Sequence, residues 1–82
     1  MQLWDLKVSD FFCFTNRDGS RRSLVWRMEA GRTVKCVGVR KDVDDSEIDR
    51  CRGEIGNVRE PSGHIKVASI NTSEFVEVAE AS

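Results

Sequence analysis

Apolar residues in this chain recur mainly at every second position, the period of a strand with one buried face rather than of an amphipathic helix. Residues 3 to 8 set Trp4, Leu6 and Val8 against Leu3, Asp5 and Lys7, which predicts a first half-buried strand. Ser9 and Asp10 interrupt it before Phe11 to Thr15 resumes with Phe12 and Phe14 opposite Cys13, as one bulged strand or two short ones. Ser23 to Ala30 alternates Leu24, Trp26, Met28 and Ala30 against Val25, Arg27 and Glu29. Thr33 to Arg40 sets Val37 and Val39 against Val34 and Cys36.

The connections are short. Asn16 to Ser20 contains an Asp18-Gly19 pair that tolerates the positive φ of tight hairpin turns, and Glu29 to Arg32 offers a second turn. Parallel strands need long crossovers, so these segments predict an antiparallel meander. Further on, His64 to Ile70 and Glu74 to Ala79 alternate again across a turn at Asn71 to Ser73, and are expected to close the sheet as a hairpin. Residues 80 to 82 are expected to fray.

One segment breaks the pattern. Ser46, followed three residues later by Asp49, resembles a helix cap, and Ile48, Cys51 and Ile55 lie at helical spacing, predicting a helix over about residues 46 to 55. The competing reading makes Arg50 to Val58 a strand, because Gly53 and Gly56 each lower helix propensity by about 1 kcal/mol relative to alanine. Glu60 to Gly63 is a loop.

Composition strengthens the β reading. Valine and isoleucine number 14 against three leucines, and β-branched side chains suit pleated surfaces. The expectation is a mostly β fold: a small antiparallel sheet or partly open barrel of about five strands, with at most one short helix. Its 82 residues allow one domain with a small core, so a partner or a second copy in a homodimer would add stability. Trp4, Trp26, Phe12 and Phe14 share the apolar face and are expected in that core, whereas Phe11 or Phe75, if exposed, would anchor an interface.

No stretch of 18 apolar residues occurs, so no membrane span is expected. The residues MQLWDLKVSDFF lack the pattern of a secretory signal, and three cysteines without a CxxC pair suit a reducing compartment; together they point to the cytoplasm. Cys13, Cys36 and Cys51 read as buried thiols rather than metal ligands, and His64 as the partly exposed start of a strand. The acidic run beginning at Asp42 fails as a calcium loop, since its sixth position is Glu47 and its twelfth Gly53. Phosphate-binding glycine motifs and a nucleophile elbow are absent from the sequence, so catalytic, metal and cofactor sites are all expected to be lacking.

Charge layout is the remaining signal. Residues 17 to 41 hold eight cations against two anions, and residues 42 to 82 ten anions against four cations, so a net charge of −1 conceals two opposed blocks. If these blocks are segregated in space, the carboxylates Asp42, Asp44, Asp45, Glu47 and Asp49, joined by Glu74, Glu77 and Glu80, form a docking surface for a basic protein or nucleoprotein. The alternative is nucleic-acid binding by Arg17, Arg21, Arg22, Arg27, Arg32 and Lys35 with nearby aromatics, although the pI of about 5.8 is low for that role. In style alone, small size and charge density resemble the inhibitors and regulators that phages and mobile elements direct at host complexes. The expected function is therefore non-enzymatic binding.

Overall fold

Gly19 turns the chain at φ 88°, its N–H donating to the Asn16 carbonyl (3.0 Å) while the Asn16 N–H donates to that of Ser20 (2.8 Å). This turn joins β1 (Phe11–Phe14) to β2 (Leu24–Met28), with Phe12 opposite Trp26. The computed structural model describes residues 1–78. A second turn at Ala30–Arg32, with Gly31 at φ 76°, leads to β3 (Val34–Arg40), which pairs antiparallel with β2. The meander read from alternation is thus present. Three further strands complete the sheet: β4 (Val58–Arg59) on β3, β5 (Val67–Ser69) on β1, and β6 (Phe75–Glu77) also on β3. The result is mostly β, an unclosed six-stranded antiparallel sheet with one α-helix.

β3 holds two strands along one edge because of a bulge. Trp26 faces Cys36 and Val25 faces Gly38, leaving Val37 as one extra residue. Cys36 donates to the Asn57 carbonyl and accepts from the Gly56 N–H, whereas the Val37 carbonyl accepts from Val78. The edge therefore passes from the β4 side to the β6 side at the bulge. The bulge also corrects the expected alternation, since the register places Val39 opposite Leu24 rather than on the side of Val37. Gly38 makes the approach of β6 possible: a Cβ there would lie 2.1 Å from the Val76 carbonyl oxygen.

Both faces of the sheet are covered. On one, Phe12, Trp26, Met28, Val34 and Cys36 pack with Leu3, Ile55 and Val67. On the other, Cys13 and Val25 pack with Ile70 and Phe75. Complete burial of a side chain as large as Phe12 stabilises the fold by about 1.5–3 kcal/mol.

Two expectations are corrected here. Residues 3 to 8 are not a strand: Leu3–Asp5 is a 3-10 turn, Leu3 is buried, and Trp4 is 51% exposed rather than in the core. The carboxylates cause this, because Asp5 accepts from the Gln2 N–H and Asp10 from the Lys7 N–H, both at 2.9 Å, and such local bonds compete with a strand ladder. The closing strands do not form a hairpin either. Ile70 and Phe75 both pack over Cys13 and Val25, which carries the chain across that face and sends β5 and β6 to different neighbours.

The helical reading of the acidic segment holds. α1 (Asp45–Cys51) continues into a 3-10 turn at Arg52–Glu54. Its N-cap is Asp44 rather than Ser46, the Asp44 carboxylate accepting from the Glu47 N–H at 2.9 Å and from the Ser46 hydroxyl at 2.8 Å. The end of the expected last strand at Ala79, and the tail with Glu80, lie outside the described residues.

Candidate functional site

α1 turns its buried Cys51 inward, and Glu47 on the same helix accepts from the Ser23 hydroxyl at 3.4 Å. Between this helix, the turn entering β2 and the segment from Arg59 to Ile65 lies an open groove of about 900 Å³. Phe14, Leu24, Trp26 and Ile65 give it an apolar lining, with Phe14 and Trp26 edge to face at 5.4 Å. The Arg59 guanidinium lies 5.8 Å from the Trp26 ring centroid, placing a cation on the aromatic face. Arg21, Arg22 and Arg40 line the groove as well, and its carboxylates are Glu47 and Glu54.

The two charge blocks touch where Arg21 meets Glu74 and where Arg40 meets Asp42. Arg21 pairs with Glu74 (3.4 Å), Arg40 with Asp42 (3.2 Å) and Arg59 with Glu54 (3.1 Å), each bringing opposite charges together. On the helix Arg50 pairs with Glu47, and Arg52 with Asp49 at 3.2 Å. Of the five carboxylates singled out, Asp44 is occupied by its cap, Asp45 is exposed, and only Glu47 reaches the groove. Of the six basic residues, Arg21 and Arg22 line the groove, while Arg17 is exposed in the first turn. Arg27 pairs with Glu29 at 2.8 Å, Lys35 stands opposite Arg27 in the ladder, and Arg32 lies on Trp4. These pairs form because near neighbours in sequence pair first, and because the turn into β6 returns Glu74 beside Arg21.

Hydrogen bonding and charge tune these groups. Donation from the Asn71 N–H, then the Arg21 charge, holds Glu74 below the usual carboxylate range. The Asn57 amide and Arg59 do the same for Glu54. Burial pushes the Cys13 thiol up to about 11 and Cys36 up to about 12, and raises Cys51 with Glu47 adding to the effect. Thiols so placed stay protonated at neutral pH and are poor nucleophiles. Among the described residues no three His, Cys, Asp or Glu side chains gather as a metal site. The Arg40 Nε is buried and, among the described residues, has no hydrogen-bond partner, although its Nη1 reaches Asp42.

A smaller hollow of about 460 Å³ lies beside the exposed Trp4, bounded by Leu6, Val8, Glu29 and Arg32. The Arg32 guanidinium is 4.9 Å from the Trp4 ring, and the exposed His64 ring is 4.9 Å from the same indole. Phe75 is buried and Phe11 is pressed against it at 4.9 Å, so neither is the exposed anchor that the sequence left open.

Sequence reasoning named Arg21, Arg22 and Glu47 but missed Arg40, Arg59 and Ile65 as partners in one groove. Arg59 enters the groove from β4, where it stands opposite Val34, and Arg40 from the far end of β3, opposite Phe75; the sequence carries no local signal for either pairing. No family model matches this chain, and no curated protein or solved structure does so either. Among the described residues no helix is long and apolar enough to cross a membrane.

Proposed function

We propose that this chain is a non-enzymatic binding module of the cytoplasm that docks on a partner protein through the groove between α1 and the sheet, as an inhibitor or regulator would. One observation carries the reading: an open groove of about 900 Å³ combines an apolar lining with charged side chains of both signs. That combination suits a protein segment, whose apolar side chains fill the centre while polar groups pair at the rim. A nucleic-acid role has less support, because Trp26 is only 4% exposed and faces Arg59, leaving no open ring on which a base stacks.

The test is photo-crosslinking in lysate from the cell of origin, with a photoreactive residue replacing Ile65 in the groove or Val76 on β6. A discrete protein adduct from the Ile65 position, absent from the Val76 position and abolished by Leu24→Glu, is the expected result. An adduct of equal yield from both positions overturns the assignment of the groove.

A further inference from the structure

We infer that the groove recognises an acidic peptide segment, with Arg21, Arg22 and Arg40 receiving its carboxylates and Leu24 and Ile65 receiving the apolar residue beside them. This rests on the docking reading above. Four arginines line the groove against two glutamates, so its lining is net positive in a chain whose net charge is −1. Three of these arginines hold carboxylates, Arg21 that of Glu74, Arg40 that of Asp42 and Arg59 that of Glu54, which leaves Arg22, among the described residues, as the cation the groove offers outright.

The internal ion pairs leave capacity for a ligand. Among the described residues Arg22 is paired with no carboxylate, and it is exposed. Arg21 holds Glu74 through contacts of 3.4 and 3.5 Å to a single oxygen, long for a guanidinium–carboxylate bond. Arg40 also lines the groove and, among the described residues, commits only its Nη1, to Asp42 at 3.2 Å. Guanidinium forks match carboxylates in shape, and a partly enclosed site strengthens each such bond. Phosphodiester chains fit less well. Their charge repeats at every residue, so they meet Glu47 and Glu54 as well as the arginines, whereas a peptide alternates charge with apolar side chains.

The experiment is a titration of the isotope-labelled full chain with three short synthetic peptides that alternate leucine with glutamate, glutamine or lysine, followed by NMR. The glutamate peptide is expected to shift the backbone signals of Arg21, Arg22 and Leu24 and the Trp26 indole N–H, and to bind at least about tenfold more tightly than its glutamine analogue, a difference of about 1.4 kcal/mol. Arg22→Gln, at an exposed position, is expected to remove most of that preference. Arg40→Gln should do likewise, and Arg22→Gln alone carries the test where Arg40→Gln fails to fold. Equal binding of the glutamate and glutamine peptides at the groove overturns carboxylate recognition and leaves the docking reading standing. If no peptide shifts the groove signals while crosslinks map elsewhere, both fail. A single-stranded oligonucleotide that binds the same residues more tightly than the glutamate peptide replaces the peptide with nucleic acid.

Discussion

Gly63 lies directly beneath the Trp4 indole, so that a methyl group on its α-carbon would fall 1.6 Å from Trp4 Cε2. The Trp4 backbone N–H donates to the Gly63 carbonyl at 3.2 Å, and Arg32 and His64 flank the ring. An exposed tryptophan is thereby given a fixed seat.

Gly63→Ala should unseat that ring. Expelling it costs about 1–3 kcal/mol, the usual range for overpacking, and lowers the melting temperature. The check is a double-mutant cycle in which Trp4→Ala makes room for the added methyl, so that the double variant is less destabilised than the sum of the two single ones. Loss of the ring-current displacement of the His64 protons in Gly63→Ala gives an independent readout.

Gly38→Ala should act at the other edge. The new Cβ meets backbone rather than a yielding side chain, at 2.1 Å from the Val76 oxygen, so β6 has to move. The amides of Val78 and Lys41, which donate to Val37 and Glu74, should then exchange hydrogen faster. The amide of Cys36, bonded to Asn57 beside β4, should keep its protection. Uniform loss at all three sites would show that β6 is not a separable unit.

The thiols predict a loss of stability in alkali. Burial raises Cys13 to about 11 and Cys36 to about 12 from an ordinary 9.0, so the folded state holds these protons more tightly than the unfolded chain does. Their contribution is fully present below pH 9 and is lost as pH rises through 11 to 12. Each tenfold gain in a thiol's hold on its proton corresponds to about 1.4 kcal/mol. The chain has no tyrosine, so thiolate absorbance can be followed without tyrosinate overlap. At neutral pH iodoacetamide should label Cys13 and Cys36 only after denaturation.

Acid acts on carboxylates, whose protons are held less tightly in the fold. The Glu47 N–H, and then the Ser46 hydroxyl, hold Asp44 below the usual carboxylate range. Its stabilisation is present above the unfolded value and is lost as pH falls through the folded one. Asp44→Ala should therefore lower helical circular dichroism and the melting temperature at neutral pH, Asp44→Asn should restore most of both, and the difference between Asp44→Ala and the parent should shrink in acid.

The meander was legible because Leu24, Trp26 and Met28 alternate with Val25, and the Asp18-Gly19 turn leaves little choice of topology. What misled was the segment from Leu3 to Val8, where the same alternation occurs but Asp5 and Asp10 bond nearby backbone. Periodicity also says nothing about which strand a segment will meet, so the separate partners of β5 and β6 were hidden. Charge counting has a related limit: a block of like charges in sequence has no fixed address in space, and Glu74 arrives beside Arg21 from 53 residues away.

The extra residue at Val37 limits how the gene for this chain can drift. Removing or adding one amino acid between Cys36 and Gly38 would change which carbonyl the Val78 N–H meets and which N–H the Asn57 carbonyl meets, and would move the glycine out from under Val76. In the loop from Asn16 to Ser20, by contrast, an added residue chiefly costs loop entropy. Variants of this protein should accordingly tolerate altered length in that loop and conserve spacing around the bulge more strictly than the identity of Val37 itself.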